Sequence, residues 1–178
     1  MPEVVESGDG SLLRRRLLAI HRLKAAVPPR SLAVMGAIVG GGSAAQSEAL
    51  ADFFEQLGLA FQIIDDVLNL RGFQGDLKTR GEDIAAGKVT MPLAEAMDRL
   101  PYDERRALWA AIAAHPQEPS VVAAIIAQLE ACGAMDSCVR LANQLVETGW
   151  AALDRVIPAS YTKIMLRAFS WYVLERAY

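Results

Sequence analysis

The stretch from Phe61 to Pro92, FQIIDDVLNLRGFQGDLKTRGEDIAAGKVTMP, constrains the fold more than any other part of this sequence. It begins as an apolar helix, in which successive residues are turned by roughly 100°. At that spacing a single arc of the helix carries four polar side chains, namely Gln62, Asp65, Asp66 and Asn69. The remaining surface of the helix is apolar, which is typical of a helix buried in a core. The sequence therefore predicts a pair of acids on one face of a largely buried helix.

Acids in such a setting need a partner, because an ionised carboxylate is costly to hold among apolar groups. Mg²⁺ is a suitable partner, since it binds one or two carboxylates together with phosphate oxygens. Lys78 and Lys88 follow in a glycine-rich segment, and lysine is a flexible point charge suited to phosphate. Two adjacent acids alone would more often be a solvated helix face. The apolar flanks, Asn69 and the lysine-bearing loop favour a metal-bridged diphosphate site.

The composition predicts an all-α fold. The chain has 178 residues, enough for one domain with a core, and 53% of them are hydrophobic but only 7% aromatic. Alanine is abundant and the alternation that strands require is scarce, so a helical bundle is favoured over a sheet. The formal net charge is −3 with dispersed basic residues, which gives no reason to expect a nucleic acid partner.

The cysteines and the N-terminal residues bear on the cellular compartment. Cys132 and Cys138 are the two cysteines and form no C-x-x-C pair, which fits a reduced, cytoplasmic location. The first ten residues, MPEVVESGDG, are acidic and polar and do not resemble a secretory signal. The apolar residues 31–45 are short and interrupted by glycines, so no membrane span is predicted.

Along the chain, residues 1–10 are predicted to be a flexible lead-in and residues 11–178 a single helical domain. A first helix is expected to end near Pro28 and Pro29, and a short buried helix to run over residues 31–39. Ser47 is the predicted cap of the long helix that carries the acids. Gly58, one turn before Gln62, has two possible explanations: room for a substrate tail, or close packing between helices.

These residues resemble the second aspartate-rich region of the trans-isoprenyl diphosphate synthases, the polyprenyl synthetase family. The family pattern is FQ-x-x-DD-x-x-D followed by K…G-x-D-[LI]-x-x-GK-x-[TS]-x-P. The matching residues here are Phe61, Gln62, Asp65, Asp66, Lys78, Gly81, Asp83, Gly87, Lys88, Thr90 and Pro92. Asn69 replaces the third acid, as in some geranylgeranyl diphosphate synthases. The earlier segment HRLKAAVPPRSLAVMGAIVGG is similar to the family's K-T-[AG]-x-L…GA, with Ala25 in place of the usual threonine.

The resemblance implies the C-terminal half of an isoprenoid-synthase helical bundle. It extends from about Leu12 to the end of the sequence, whereas the family's first half, with the other aspartate-rich motif, has no counterpart here. Three explanations are open: the first half is a separate polypeptide, it has been removed, or the protein is a degenerate relative with another role. In the first case a polypeptide that carries the first half is an expected partner, in a homo- or hetero-oligomer. Prenyl transfer by this chain alone is expected to be small or absent.

The resemblance also implies the chemistry and the roles of individual residues. The family condenses isopentenyl diphosphate with an allylic diphosphate in isoprenoid biosynthesis, with Mg²⁺ as cofactor. Catalytic roles would fall to Asp65, Asp66 and Lys78, and metal binding to Asp65, Asp66 and Asn69. The residues expected to bind the substrate diphosphates are Lys24, Gln62, Lys78, Lys88 and Arg176. For Lys24 a structural role at a helix end, and for Arg176 simple solvent exposure, are the alternatives.

Two other functions are compatible with the sequence. One is a non-catalytic or regulatory subunit of a full-length prenyl diphosphate synthase, which Asn69 and Ala25 favour mildly. The other is a class I terpene cyclase with the same metal clamp, although cyclisation does not explain the lysine-rich loop. Retention of two acids and two lysines together favours a prenyltransferase, because an interaction module needs none of them together; these residues are Asp65, Asp66, Lys78 and Lys88.

Overall fold

The computed structural model describes residues 1–72 and 80–175, and these residues form α-helices and one π-helical turn without any strand. The helices are α1 (Pro2–Ser7), α2 (Ser11–His21), α3 (Val27–Val39), α4 (Ala44–Arg71), α5 (Glu82–Ala85), α6 (Met91–Met97), α7 (Tyr102–Ala113), α8 (Pro119–Ala131), α9 (Ala134–Asp154) and α10 (Tyr161–Glu175), and the π-helical turn is Arg22–Ala26. The predicted all-α fold class is confirmed.

The chain divides into two compact units, whereas the sequence predicts one domain over residues 11–178. Of the described residues, the first unit contains 1–17, 65–72 and 80–139, and the second contains 18–64 and 140–175. Each unit is therefore assembled from segments that are distant in sequence. The divisions fall inside the continuous helices α2, α4 and α9, so hydrophobic periodicity gave no sign of them.

The first unit is built around α6, all seven residues of which are buried. Within this short helix Glu95 is a buried acid, and its charge is balanced by Arg99 at 2.9 Å and Arg14 at 3.5 Å. Pro92 stands in the first turn of α6, where a missing amide hydrogen costs nothing. This central helix directly follows the loop that returns from the acid-bearing end of α4.

The N-terminal residues differ from the flexible lead-in that the sequence predicts. They form helix α1, in which Val4 and Val5 are buried. Arg105 of α7 donates a hydrogen bond from Nε to the carbonyl oxygen of Val5 at 3.0 Å. Two adjacent valines between acids do not show a helical period, so their burial could not be read from the pattern.

In the second unit α4 packs against α9, and α9 is in turn paired with α10. Phe53 of α4 is fully buried and packs edge-on against Trp150 of α9, with ring centroids 5.7 Å apart. Arg167 of α10 donates from one guanidinium nitrogen to both carboxylate oxygens of Glu147 on α9, at 2.6 and 2.7 Å. Buried aromatic and charge-assisted contacts therefore hold these helices in a fixed arrangement.

Three sequence predictions in the second unit need correction. Helix α3 begins at Val27 with Pro28 in its first turn, so the two prolines start this helix rather than end the previous one. The helix predicted as buried over residues 31–39 has only Ala37 buried. Helix α4 begins at Ala44, so Ser47 is not its cap. Ser43 and Gln46 instead exchange the reciprocal hydrogen bonds of a capping box, at 2.9 and 3.3 Å.

No single helix in the part of the chain that the structure describes is long and apolar enough to cross a membrane. The consecutive helices α8 and α9 reach that length and hydropathy only as a pair, and they are bent by 59°.

Candidate diphosphate and metal site

Asp66 lies on α4 and caps the central helix of the first unit. Its side chain is only 6% exposed, and Oδ2 accepts a hydrogen bond from the backbone N–H of Met91 at 2.9 Å. Met91 is the first residue of α6, and the preceding Thr90 makes no side-chain capping bond. A carboxylate at a helix N-terminus satisfies an otherwise unpaired amide and interacts favourably with the helix dipole. Asp66 is therefore a structural residue of this unit, whatever else it binds.

Asn69, one turn further along α4, anchors the loop that follows. Its Oδ1 accepts a hydrogen bond from the backbone N–H of Asp83 at 3.2 Å, and its carbonyl oxygen accepts one from Gly81 at 2.8 Å. Gly81 has φ of 78°, and a Cβ there would lie 2.4 Å from Val122. Glycine is required at this position by both the backbone conformation and the lack of space. The loop is thus held against the acid-bearing helix mainly by backbone groups.

Lys88 provides a cation in the same unit. Its Nζ donates a hydrogen bond to Asp83 Oδ1 at 2.5 Å, and its backbone N–H donates to the Asp83 carbonyl at 2.9 Å. The hydrogen bond to Asp83 raises the pKa of Lys88, and the charges of Asp83, Glu82 and Asp66 act in the same direction. The side chain of Lys88 remains 58% exposed. Lys88 is therefore a charged group within electrostatic range of Asp66 that can still reach a ligand.

The donor atoms suit a hard cation that a second ligand completes. Asp65 is more exposed than Asp66, and both supply carboxylate oxygens from adjacent positions of α4. Among the residues that the structure describes, no three or more histidine, cysteine or acidic side chains form a metal-binding group. Mg²⁺ characteristically takes one or two carboxylates and obtains further oxygens from phosphate and water. The acids therefore fit a cation shared with a diphosphate rather than an all-protein metal cage.

The second unit contains a cavity of about 460 Å³ with a polar and an apolar part. Lys24 and Gln62 supply polar groups, while Phe54, Leu57 and Phe169 are among the residues of its apolar wall. Lys24 is exposed and lies in the π-helical turn, a rare feature that is frequent at functional sites. The cavity therefore combines a cationic group and an amide with a wall suited to a hydrocarbon chain.

His21 lies just before Lys24 and is 6% exposed. Burial, together with the nearby charge of Lys24, lowers the pKa of His21 to about 4. The imidazole is consequently neutral at neutral pH. Between these two groups, only Lys24 supplies positive charge.

Gly58 also lines this cavity, and its surroundings distinguish the two explanations left open by the sequence. A Cβ at this position would lie 2.4 Å from the carbonyl oxygen of Ala25 and 2.6 Å from the Cα of Ala26. Glycine is therefore needed for close packing of α4 against the π-helical turn.

Replacing Gly58 by alanine is expected to lower the free energy of unfolding by roughly 1–2 kcal/mol, because backbone atoms must move to accept the new methyl group. Gly36 of α3 is the matched control, since a Cβ there would meet no atom within 4 Å. Gly36→Ala should instead stabilise by about 0.5–1 kcal/mol, the ordinary gain in an exposed helix. Urea denaturation followed by circular dichroism measures both changes. Equal effects of the two substitutions would contradict the packing role.

The predicted site residues fall into three groups. Asp65, Asp66, Asn69 and Lys88 lie in the first unit, while Lys24 and Gln62 line the cavity of the second. Lys78 and Arg176 lie outside the described residues. Gln62, Asp65, Asp66 and Asn69 do occupy one continuous helix, as the sequence predicts.

The structural roles of Asp83 and Met91 were not predicted from the sequence. Asp83 offers its amide to Asn69 and its carboxylate to Lys88. The amide of Met91 is the partner of Asp66. Contacts of this kind depend on how the loop folds back, and residue spacing does not specify that path.

The fold and site define the class of protein: an all-α chain with an acid pair on a long helix, followed by a lysine-bearing loop anchored to that helix. Comparison with known proteins gives the same class. The polyprenyl synthetase family model matches residues 4–129. The chain belongs to the polyprenyl synthetase family.

Individual relatives match over a part of their own length. The short chain isoprenyl diphosphate synthase of Methanothermobacter thermautotrophicus is 34% identical over 142 residues, which are 79% of this chain and 43% of that protein. The chloroplastic heterodimeric geranylgeranyl pyrophosphate synthase large subunit 1 of Arabidopsis thaliana is 41% identical over 81 residues, 45% of this chain and 22% of that protein. The chain thus spans less than half the length of these relatives.

A solved structure also matches this chain over only part of its own length. A polyprenyl synthase from Caulobacter crescentus, complexed with calcium and isoprenyl diphosphate, superposes with a TM-score of 0.85 at 29% identity. The match covers 99% of this chain and 56% of the Caulobacter chain. Nearly all of this chain therefore has a counterpart in a polyprenyl synthase fold, while a large part of that fold has no counterpart here.

Proposed function

We propose that this chain is the diphosphate-handling half of a Mg²⁺-dependent prenyltransferase that condenses isopentenyl diphosphate with an allylic diphosphate. The observation that carries the proposal is the acid pair Asp65 and Asp66 on a buried helix, held beside the Lys88 loop in a chain of the polyprenyl synthetase family. The Caulobacter relative, which binds calcium and isoprenyl diphosphate, supports a divalent cation and this class of substrate.

Asp65 and Asp66 would hold the cation, with Asn69 nearby on the same face of α4. The bound Mg²⁺ would neutralise the charge that develops on the leaving diphosphate. Lys88 and Lys78 would contribute further positive charge to the diphosphate oxygens, and Arg176 would bind the substrate near the C-terminus. The hydrogen bond from the Met91 amide to Oδ2 fixes the orientation of the Asp66 carboxylate.

In the second unit, Lys24 and Gln62 would bind a diphosphate group at the polar part of the cavity. The apolar wall formed by Phe54, Leu57 and Phe169 would receive the hydrocarbon chain. A wall of this kind excludes water, which would otherwise quench the allylic cation left when the diphosphate departs. Bond formation then joins the double bond of isopentenyl diphosphate to the allylic carbon, and loss of a proton completes the transfer.

A regulatory subunit is the second candidate function, and one observation favours it. Asn69 stands where the family pattern has a third acid, and its Oδ1 is already bonded to the Asp83 amide. The Arabidopsis relative is the large subunit of a heterodimeric synthase, so assembly from subunits occurs among similar proteins. The cytoplasmic location stays a prediction, supported by the free Cys132 and Cys138, because that relative is chloroplastic.

An assay of radiolabelled isopentenyl diphosphate with an allylic diphosphate distinguishes the two functions. We expect little or no labelled product from this chain alone, and Mg²⁺-dependent product once a polypeptide with the first aspartate-rich motif is added. In that mixture Asp65→Asn should reduce the rate by about a hundredfold or more, because removing groups that stabilise charge in a transition state has effects of that size. An Asp65→Asn mixture as active as the original would assign this chain a non-catalytic role.

A further inference from the structure

Helix α10 of the second unit has apolar residues on two opposite sides. Val173 and Leu174 face inward and are at most 9% exposed. Roughly half a turn away on the helix, a second apolar stripe is exposed: Tyr161 by 76%, Ile164 by 66%, Met165 by 50% and Tyr172 by 58%. Several exposed apolar residues on one side of a helix are a common mark of a protein–protein interaction site. We therefore expect the outer stripe of α10 to be covered by another helical surface.

Helix α3 of the same unit shows the same arrangement. Ala37 is its one buried residue, at 8% exposure. An arc of roughly 120° on the other side carries four exposed aliphatic side chains. These are Leu32 at 67%, Met35 at 61%, Ile38 at 66% and Val39 at 89% exposure. This stripe explains why the helix predicted to be buried is exposed here.

The two helices that carry these stripes border the same cavity of the second unit, which Pro29 of α3 and Phe169 of α10 both line. Together they form what we call the α3/α10 surface, defined by Leu32, Met35, Ile38, Val39, Tyr161, Ile164, Met165 and Tyr172. None of these side chains is charged. Eight exposed apolar side chains on two helices of one unit exceed the singly scattered apolar residues that are normal on a monomer.

The share of the fold that this chain represents indicates what covers the surface. The chain matches 56% of the Caulobacter synthase while using 99% of its own length, so more than a third of that all-helical fold has no counterpart here. A second copy of this chain would not supply that part. An apolar surface without charged residues suits the apolar face of another helix, not a charged partner.

We propose that the α3/α10 surface docks the helical part of a polyprenyl synthetase that has no counterpart in these 178 residues. The proposal deepens the proposed function, because it assigns a surface to the partner that prenyl transfer requires. The docked part would pack its own apolar face over both stripes and close the side of the second unit on which the cavity opens between α3 and α10.

The test supplies the unmatched part as a separate chain. The unmatched parts of the Caulobacter and Methanothermobacter synthases are each co-expressed with this chain, and the products are analysed by size-exclusion chromatography with light scattering. A one-to-one complex is expected. Leu32→Glu and Met165→Glu should each weaken it by about thirtyfold or more, because a charge is placed in the centre of an apolar interface. Circular dichroism verifies that the exposed substitutions leave the fold intact.

Val121→Glu is the matched control, since Val121 is an exposed apolar residue, at 39%, on α8 of the first unit. It should leave the complex unchanged. Failure of both unmatched parts to bind would overturn the proposal, as would a complex insensitive to Leu32→Glu and Met165→Glu. A self-associated chain that these substitutions dissociate would assign the surface to a second copy. Because assembly is measured without Mg²⁺ or substrate, a complex that forms but transfers no prenyl group contradicts only the proposed function.

Discussion

Asp66→Ala is expected to lower the free energy of unfolding by about 3 kcal/mol, the largest stability effect of any single substitution considered for this chain. The loss follows from the buried contact between Asp66 Oδ2 and the Met91 amide. Alanine leaves that amide without its acceptor at the start of the helix on which the first unit is built. Hydrogen bonds to charged groups contribute more than neutral ones, and a buried unpaired donor bears the full cost of desolvation. Urea denaturation followed by circular dichroism measures the change.

Asp66→Asn separates the capping role from the metal-binding role. Asparagine keeps an oxygen that can accept the Met91 hydrogen bond, and it is as good a helix cap as aspartate. We therefore expect a loss of less than about 1 kcal/mol in stability, together with weaker Mg²⁺ binding because the charge is gone. Equal destabilisation by alanine and asparagine would show that the charge, rather than the hydrogen bond to Met91, holds α6 in place.

The parts of the structure that could be predicted from the sequence are those governed by helical periodicity. The run of apolar residues around Asp65 and Asp66 predicted a long buried helix, and α4 extends over Ala44–Arg71. Gln62 and Asp66 are indeed buried on it, at 7% and 6% exposure. The absence of alternating patterns predicted a fold without strands, as observed over residues 1–72 and 80–175.

Features that depend on contacts between distant segments could not be predicted. The Asp66 carboxylate accepts from an amide 25 residues away, and Asn69 holds the loop through the Asp83 amide. Neither partner is a side chain, so no residue type in the sequence marks it. The exposure of α3 has a different origin: Leu32 and its neighbours have the composition of a core helix, and composition does not show whether the covering part is present.

Asp65→Ala is expected to abolish the cooperation between Mg²⁺ and pyrophosphate. In the unmodified chain, pyrophosphate should bind about 5–150 times more tightly with Mg²⁺ present, a coupling of roughly 1–3 kcal/mol. The coupling is mutual, because the cation cancels the repulsion between the acids and the ligand, and the ligand supplies oxygens to the cation. Without Asp65 the cation loses the more exposed of its two carboxylates. Isothermal titration calorimetry with pyrophosphate, with and without Mg²⁺, measures the ratio of affinities.

Two further variants show whether a change in that ratio of affinities is specific to the metal site. Lys88→Ala should weaken pyrophosphate binding by a similar factor in both titrations, because an exposed lysine acts on the ligand directly and not through the metal. Asp103→Ala, on the exposed first turn of α7, removes one negative charge from the same unit and should change neither titration. If Asp65→Ala behaved like Asp103→Ala, with Mg²⁺ still strengthening pyrophosphate binding to the same extent, the face formed by Asp65 and Asp66 would not be the metal site. The cation would then have to be held by other groups, and the acids of α4 would serve the fold alone, as Asp66 already does through Met91.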